Sequence, residues 1–219
     1  MPSPKLKLYF DTVSPFAYFA FWALENLPAF KNVEKTYVPI FLGGLMKACD
    51  NRPPIEITNK NKWIYVERLR WAKQFNIPLK PETPEGFPVL TLTPQRALTA
   101  VSILYPELLV QCTSAVYTAF WVEHTRINEP AALGSVLGSV LANDQLDKVM
   151  QATSTKDVKD GLSEKTQEAF DTGAFGMPWF VATNKKGETE AFWGFDHLGQ
   201  VADHLGLERP LQDGWRAML

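Results

Sequence analysis

Thiol chemistry of its own is almost missing from this chain. There are two cysteines, Cys49 and Cys112, far apart and with no Cys-x-x-Cys pair. A dithiol redox motif is therefore excluded, and usage this sparse fits a reducing compartment and two unremarkable thiols. Histidine is as scarce. His124, His197 and His204 are scattered, do not combine with the cysteines into zinc-ligand spacing, and stand in no evident pairing with a nearby serine, so no metal is expected. No apolar run reaches the ~18 residues of a membrane helix. The small-residue stretch at 131–142 reads instead as a close helix contact. Charge of one sign is also lacking: 22 Lys+Arg face 24 Asp+Glu, the formal net charge is -2, and no basic run stands out. Nucleic acid is therefore not an expected partner. The opening Met-Pro-Ser-Pro-Lys-Leu-Lys leads straight into a strand pattern, as neither a signal peptide nor an Arg-rich presequence would.

What is present is an ordinary globular balance, 46% hydrophobic and 21% charged over 219 residues, enough for one large domain or two small ones. Residues 5–10 alternate and then turn fully apolar, as a strand does on entering a core. A short loop, Asp11 to Ser14, precedes a helix over 15–26 that is apolar nearly all round and hence buried. Residues 33–41 are β-branched and aromatic, a second strand, so the chain opens strand-helix-strand, the mark of a parallel unit.

The middle is helical. The spacing predicts helices at 60–75, 107–126, 130–141, 143–151 and 155–171, and another opening at Thr93-Pro94 with Thr93 as N-cap and Pro94 as first helical residue. Residues 80–88 are proline-rich and predict a loop. Strand character returns at 179–183 and 188–193 around the turn Asn184-Lys185-Lys186-Gly187, and an amphipathic helix over 196–205 follows. The order predicts an α/β fold: a thioredoxin-like domain, residues 1–42 and 173–219, interrupted by a large all-helical insertion, residues 43–172.

Two positions in this layout carry chemistry. Read locally, Ser14 is an N-cap and Pro15 the first residue of its helix. Read by place, Ser14 lies beyond the carboxyl end of a strand, where ligands of α/β sheets bind, and at a helix N-terminus, which favours an anion. A thiolate is such an anion. A thiol ionises near ~8.5, so making it mostly thiolate at neutral pH takes about two units, or ~2.7 kcal/mol. The helix end supplies ~0.5–2 kcal/mol and a hydroxyl bond to the charged sulfur ~1.5–3, so the two together suffice and either alone is marginal. By place Ser14 suits the holding of a sulfur anion and is a poor nucleophile, while on local evidence alone it remains a helix cap. The second position is Pro178, opening a central strand where a proline cannot donate to the ladder. About 5% of X-Pro bonds are cis, and a thioredoxin-type sheet raises the prospect for Met177-Pro178, since a cis-proline there exposes the preceding backbone to a peptide-like ligand.

Four stretches carry a family resemblance in order and spacing: Tyr9-Phe10-Asp11-Thr12-Val13-Ser14-Pro15-Phe16-Ala17, Asn51-Arg52-Pro53-Pro54, Gly173-Ala174-Phe175-Gly176-Met177-Pro178 and Trp193-Gly194-Phe195-Asp196. The chain resembles kappa-class glutathione transferases and the related 2-hydroxychromene-2-carboxylate isomerases, of the DsbA-like branch of thioredoxin folds. The resemblance implies glutathione as co-substrate, with Ser14 catalytic through its hold on the sulfur, Pro15 beside it, and Met177, before Pro178, pairing with the cysteinyl part. It implies that Asp196 holds the γ-glutamyl end, although locally Asp196 reads as a helix cap. Asn51 and a lysine after the double proline would meet the other side of the peptide; Lys60 aligns best by count and Lys62 is its rival. Where the family often has a small hydroxyl residue before the late aspartate, this chain has Phe195, which removes one contact. The implied activity is transfer of the glutathione thiolate to a small hydrophobic electrophile in an apolar pocket built partly by the insertion. The alternatives are a glutathione-dependent cis-trans isomerase, or a non-catalytic glutathione-binding protein. A thiol-disulfide oxidoreductase would need a cysteine in place of Ser14. A homodimer and an intracellular site are also implied, cytoplasmic, mitochondrial or peroxisomal; the terminal Arg216-Ala217-Met218-Leu219 is only loosely like a peroxisomal address.

Overall fold

A computed structural model describes residues 3–209 and Trp215, so the terminal address read from the last residues lies outside the described residues. Its centre is strand β1 (Lys5–Phe10), whose inner residues Leu8, Tyr9 and Phe10 are buried in sequence. A strand covered on both faces loses its alternation, which is why this run is continuously apolar at its end. β1 pairs parallel with β2 (Glu34–Pro39) and antiparallel with β3 (Trp179–Thr183), and β3 pairs antiparallel with β4 (Thr189–Trp193), in the order β2-β1-β3-β4. Leu8 therefore faces Tyr37 on one side and Phe180 on the other. The two ends of the chain complete one sheet, and among the described residues only helices and turns lie between β2 and β3. The fold is an α/β thioredoxin-like domain interrupted by a helical insertion.

Helix α1 (Pro15–Asn26) crosses between β1 and β2, and eight of its twelve residues are buried, in accord with its apolar sequence. The inserted helices are α2 (Leu42–Ala48), α3 (Lys60–Phe75), α4 (Leu92–Leu104), α5 (Leu109–Thr118), α6 (Pro130–Leu137), α7 (Asn143–Ala152) and α8 (Lys156–Asp171); α9 (Leu198–His204) follows β4. The buried residues of sheet and insertion form one hydrophobic cluster. One buried amide ties them further: Gln95 of α4 donates to the carbonyls of Phe10 at 2.9 Å and Ile40 at 2.7 Å, the residues that end β1 and follow β2.

Four sequence expectations shift. The fourth helix starts at Leu92, so Thr93 is not its cap and Pro94 is its third residue, still within the first turn where a missing N–H costs no helical bond. Residues 107–126 are not one helix: a 3₁₀ turn at Pro106–Leu108 leads into α5, and Ala119–Glu123 widens into a π turn ending at His124 in the left-handed region. α6 stops at Leu137, with Gly138 as its C-cap, rather than running to 141. The last helix begins as a 3₁₀ turn at Phe195–His197 before α9. Among the described residues no helix is long and apolar enough to cross a membrane.

Glu168 of α8 clamps the insertion onto β1. Its carboxylate lies 2.6 Å from Lys7 Nζ, 2.6 Å from the Tyr9 hydroxyl and 2.6 Å from Lys165 Nζ. Burial alone would raise its pKa, but the three donors outweigh burial and hold it down to about 2. A carboxyl depressed on folding stabilises above its ordinary range and loses that contribution as pH falls through the folded value. Denaturant melts should therefore show stability declining between about pH 4.5 and 2. Glu168→Gln should flatten that decline and lower stability at pH 7 by about 1–2 kcal/mol, allowing for the solvent that reaches the group.

Candidate active site

β1 ends at Phe10 and α1 begins at Pro15, so four residues must turn the chain and start a helix. Ser14 does the second. Its backbone is extended (φ -85°, ψ 117°), its Oγ accepts from the Ala17 N–H at 3.2 Å, and Pro15 occupies the first helical position. The first turn of α1 contains no acidic residue, and the nearest one, Asp11, turns its carboxylate to Val13, Leu42 and Thr91. The Ser14 hydroxyl proton is directed across the molecule, onto the carbonyl of Met177 at 3.2 Å. The Met177-Pro178 bond is cis, and Met177, two residues before β3, lies against the start of α1. Phe87-Pro88 in the proline-rich loop is cis as well, with no forewarning in the sequence.

The first job, turning the chain, falls to Asp11. The residue is fully buried. Its carboxylate accepts from the N–H of Val13 at 3.1 Å and of Leu42 at 2.8 Å, and from the Thr91 hydroxyl. Its backbone carbonyl accepts from the Ser14 N–H at 3.1 Å. Thr91 precedes α4 without capping it, its hydroxyl being taken by Asp11. The π turn contributes the last hold: Trp121, wholly buried, donates its indole N–H to the Thr12 carbonyl at 3.0 Å. Loop 11–14 is thus fixed from α2, α4 and the turn after α5. Asp11 was not among the candidate site residues, because its partners are thirty and eighty residues away and nothing local marks it.

The DSBA-like thioredoxin domain model matches residues 5–206. Glutathione S-transferase kappa 1 of Rattus norvegicus is 30% identical over 210 residues, covering 94% of this chain and 92% of its own, and that of Caenorhabditis elegans is 29% identical over 217 residues, covering 96% and 94%. This chain belongs to the DsbA-like thioredoxin family, in its kappa-class glutathione transferase branch. Among solved structures, 2-hydroxychromene-2-carboxylate isomerase superposes with a TM-score of 0.75 at 22% identity, covering 92% of this chain and 94% of that one, and a probable DsbA oxidoreductase of Streptomyces coelicolor with 0.69 at 18%, covering 95% and 93%. At those identities they share the fold.

The other predicted residues of this kappa-class chain fall in two groups. Asn51 lies beside the segment that leads to Pro178: its side-chain N–H donates to the Phe175 carbonyl at 2.9 Å, while the nearby Cys49 thiol reaches the Ala174 carbonyl at 3.3 Å. Asn51 is exposed, and its contact is with the loop. Lys60 and Lys62 open α3 and are both exposed, but only Lys62 lines a cleft of about 620 Å³ whose wall also includes Pro15, Ile55, Tyr65, Phe87 and Trp121. Asp196 sits within the 3₁₀ turn, 59% exposed, and makes no cap hydrogen bond, so its local reading as a helix cap does not hold. Phe195 explains itself: its ring packs on Phe19, Trp71 and Phe75 at centroid distances of 5.7, 5.4 and 5.3 Å, binding the Asp196 turn to α1 and α3. Cys112 is wholly buried in α5, and burial pushes its thiol up to about 11, so it is unreactive.

Burial raises the Asp11 carboxyl from its ordinary 3.8 to about 6, with the Leu42, Thr91 and Val13 donors only partly offsetting it. A carboxyl raised on folding binds a proton in the folded state that the unfolded state lacks, so its contribution falls as pH rises from about 4 to 6, by ~2–3 kcal/mol. Asp11→Asn should remove that slope from the stability profile. It should also cost about 1–3 kcal/mol at pH 5, because an amide oxygen cannot serve three donors and its own N–H₂ would face one of them.

Proposed function

We propose that this chain transfers the thiolate of glutathione to small hydrophobic electrophiles, with Ser14 holding the sulfur in its ionised form. The observation that carries the reading is the meeting of Ser14 with the Met177 carbonyl, which puts a helix-capping hydroxyl, a helix start with no acid in its first turn and a cis-prolyl edge at one point. The relatives from Rattus norvegicus and Caenorhabditis elegans are named glutathione S-transferases, which supports the reading. At 3.2 Å the Ser14–Met177 bond is long for a hydroxyl donor. A thiolate is the stronger acceptor, so the hydroxyl gains by rotating from carbonyl to sulfur. Its Oγ can keep the Ala17 N–H meanwhile, because a hydroxyl accepts and donates at once.

In this reading Met177 offers its backbone N–H, which makes no protein backbone hydrogen bond among the described residues, to the cysteinyl carbonyl of glutathione. Lys62, in the cleft wall with Pro15, is better placed than Lys60 to meet a carboxylate of the peptide. Asp196 takes the γ-glutamyl ammonium from a turn held by Phe195, without the hydroxyl that Phe195 replaces. Asn51 acts by positioning the 174–177 backbone. The thiol proton leaves to solvent, the sulfur attacks an electrophilic carbon in the apolar cleft, and the leaving group departs with its electron pair. Pairing of two copies belongs to the same reading.

Ser14→Ala tests it. The cap loss should cost only about 1 kcal/mol of stability, so the variant should fold. Ultraviolet titration of bound glutathione should place the thiol roughly 1–2 units higher than in the unaltered protein, and kcat/KM for 1-chloro-2,4-dinitrobenzene should fall about 10- to 100-fold. A thiol that titrates alike in both proteins would refute the role of Ser14. Turnover of a hydroxychromene carboxylate without net consumption of glutathione would select the isomerase instead.

A further inference from the structure

The cleft beside Pro15 has a lopsided wall. Most of it is apolar or neutral: Ile55, Ile64, Tyr65, Val66, Phe87 and Trp121 among others. It has two charged residues, Lys62 and Arg68, both cationic, and no acid. Arg68 is unusual in itself. It is only 2% exposed, yet no carboxylate forms an ion pair with it among the described residues. Its terminal nitrogens donate to the carbonyls of Lys80, at 3.3 Å, and Pro81, and its Nε is buried with no partner. The guanidinium lies 4.9 Å from the Tyr65 ring centre, a cation–π contact. Glu82 acts on it only through the longer-range field. Buried charges in proteins are normally paired, because desolvating an ion without a counter-ion is costly. Two carbonyl dipoles and a ring face offset that cost incompletely. Here the unpaired cation stands in the wall of an open cleft that repeats its sign.

We propose that the acceptor cleft takes an electrophile bearing an anionic group, a carboxylate on an aromatic or apolar body, with Arg68 supplying the countercharge. The proposal rests on the transferase reading for which site is the acceptor site, and adds the class of substrate. The apolar wall would receive the body of such a molecule, and no acidic side chain stands in the wall itself, Glu82 opposing Arg68 only from outside it. The rival source of a carboxylate is glutathione itself.

The test compares 4-chloro-3-nitrobenzoate with 4-chloro-3-nitrobenzamide, which share a leaving group and ring and differ in charge. Each enzymatic kcat/KM is divided by the uncatalysed rate with glutathione. Binding is followed separately by quenching of tryptophan fluorescence, Trp121 being in the wall. The expected result is a preference for the acid of about tenfold or more in both measures, reduced at least fivefold in Arg68→Met. Arg68 also ties the 80–81 backbone, so a second variant, Val66→Glu, puts an opposing charge at an exposed wall position and should erode the same preference without disturbing that tie. No preference for the acid in the unaltered protein would overturn the proposal. So would variants that raise the KM for glutathione equally with both acceptors while the acid-to-amide ratio stays fixed, since the anion served would then be that of glutathione. If neither compound is conjugated but the acid still binds more tightly in an Arg68-dependent way, the transferase reading fails and the anion subsite stands.

Discussion

The structure turns on a single long-range contact, the hydroxyl of Ser14 against the carbonyl of Met177, 163 residues away in sequence. Two parts of the chain separated by the whole insertion must arrive at one point for it to form. β1 and β3 bring them to neighbouring positions in the sheet, with Tyr9 opposite Trp179, and the cis bond at Pro178 turns the Met177 backbone toward the loop. A contact reached this way is poised rather than strong. The hydroxyl's bond to the carbonyl is long, and on the proposed reading a sulfur anion would be its better acceptor.

Holding that point steady is the work of the insertion. Loop 11–14 has only four residues and few contacts of its own. Its Asp11 carboxylate takes donors from the start of α2 and from Thr91 before α4, and its Thr12 carbonyl takes the Trp121 indole from the π turn. A regular α-helix through residues 119–123 would place Trp121 at a different angle, and π turns within helices are frequent at functional sites. The helical block therefore serves the loop as well as building the cleft, and the shared hydrophobic cluster makes its packing inseparable from that of the sheet.

How legible this was from sequence depended on how local the cause was. β1, α1 and the serine cap follow from neighbours within a few residues, and so were readable. The cis bond at Met177-Pro178 could be anticipated because the strand order pointed to a thioredoxin-type sheet, in which a cis-proline faces the active loop; that at Phe87-Pro88 sits in a loop and had no such flag. Asp11 and Arg68 escaped attention because an acid after a strand and an arginine within a helix are unremarkable until their distant surroundings are known. Thr93 was misread as a cap because the helix begins at Leu92, one residue before it, and the threonine at the cap position, Thr91, gives its hydroxyl to the distant Asp11 instead of the helix. Phe195 looked like a loss, a missing hydroxyl beside Asp196. In space it is an exchange, since a ring packed on Phe19, Trp71 and Phe75 fixes the turn that a hydroxyl would merely decorate.

The absent cysteine then acquires a meaning that composition alone did not give it. A helix N-terminus of this kind lowers the pKa of a sulfur placed on it, and in DsbA-type oxidoreductases that sulfur belongs to the protein. Here neither cysteine is in the loop: Cys112 is buried within α5, and Cys49 is turned toward the Ala174 carbonyl. With serine at the cap, the positive end of α1 and the hydroxyl remain while the resident thiol is gone. On the proposed reading, a site that stabilises a thiolate but owns none acts on a sulfur brought to it. The chemistry then shifts from exchange between two protein thiols to activation of a soluble one, with the neighbouring cleft, rather than a second cysteine, as the place proposed for its other partner.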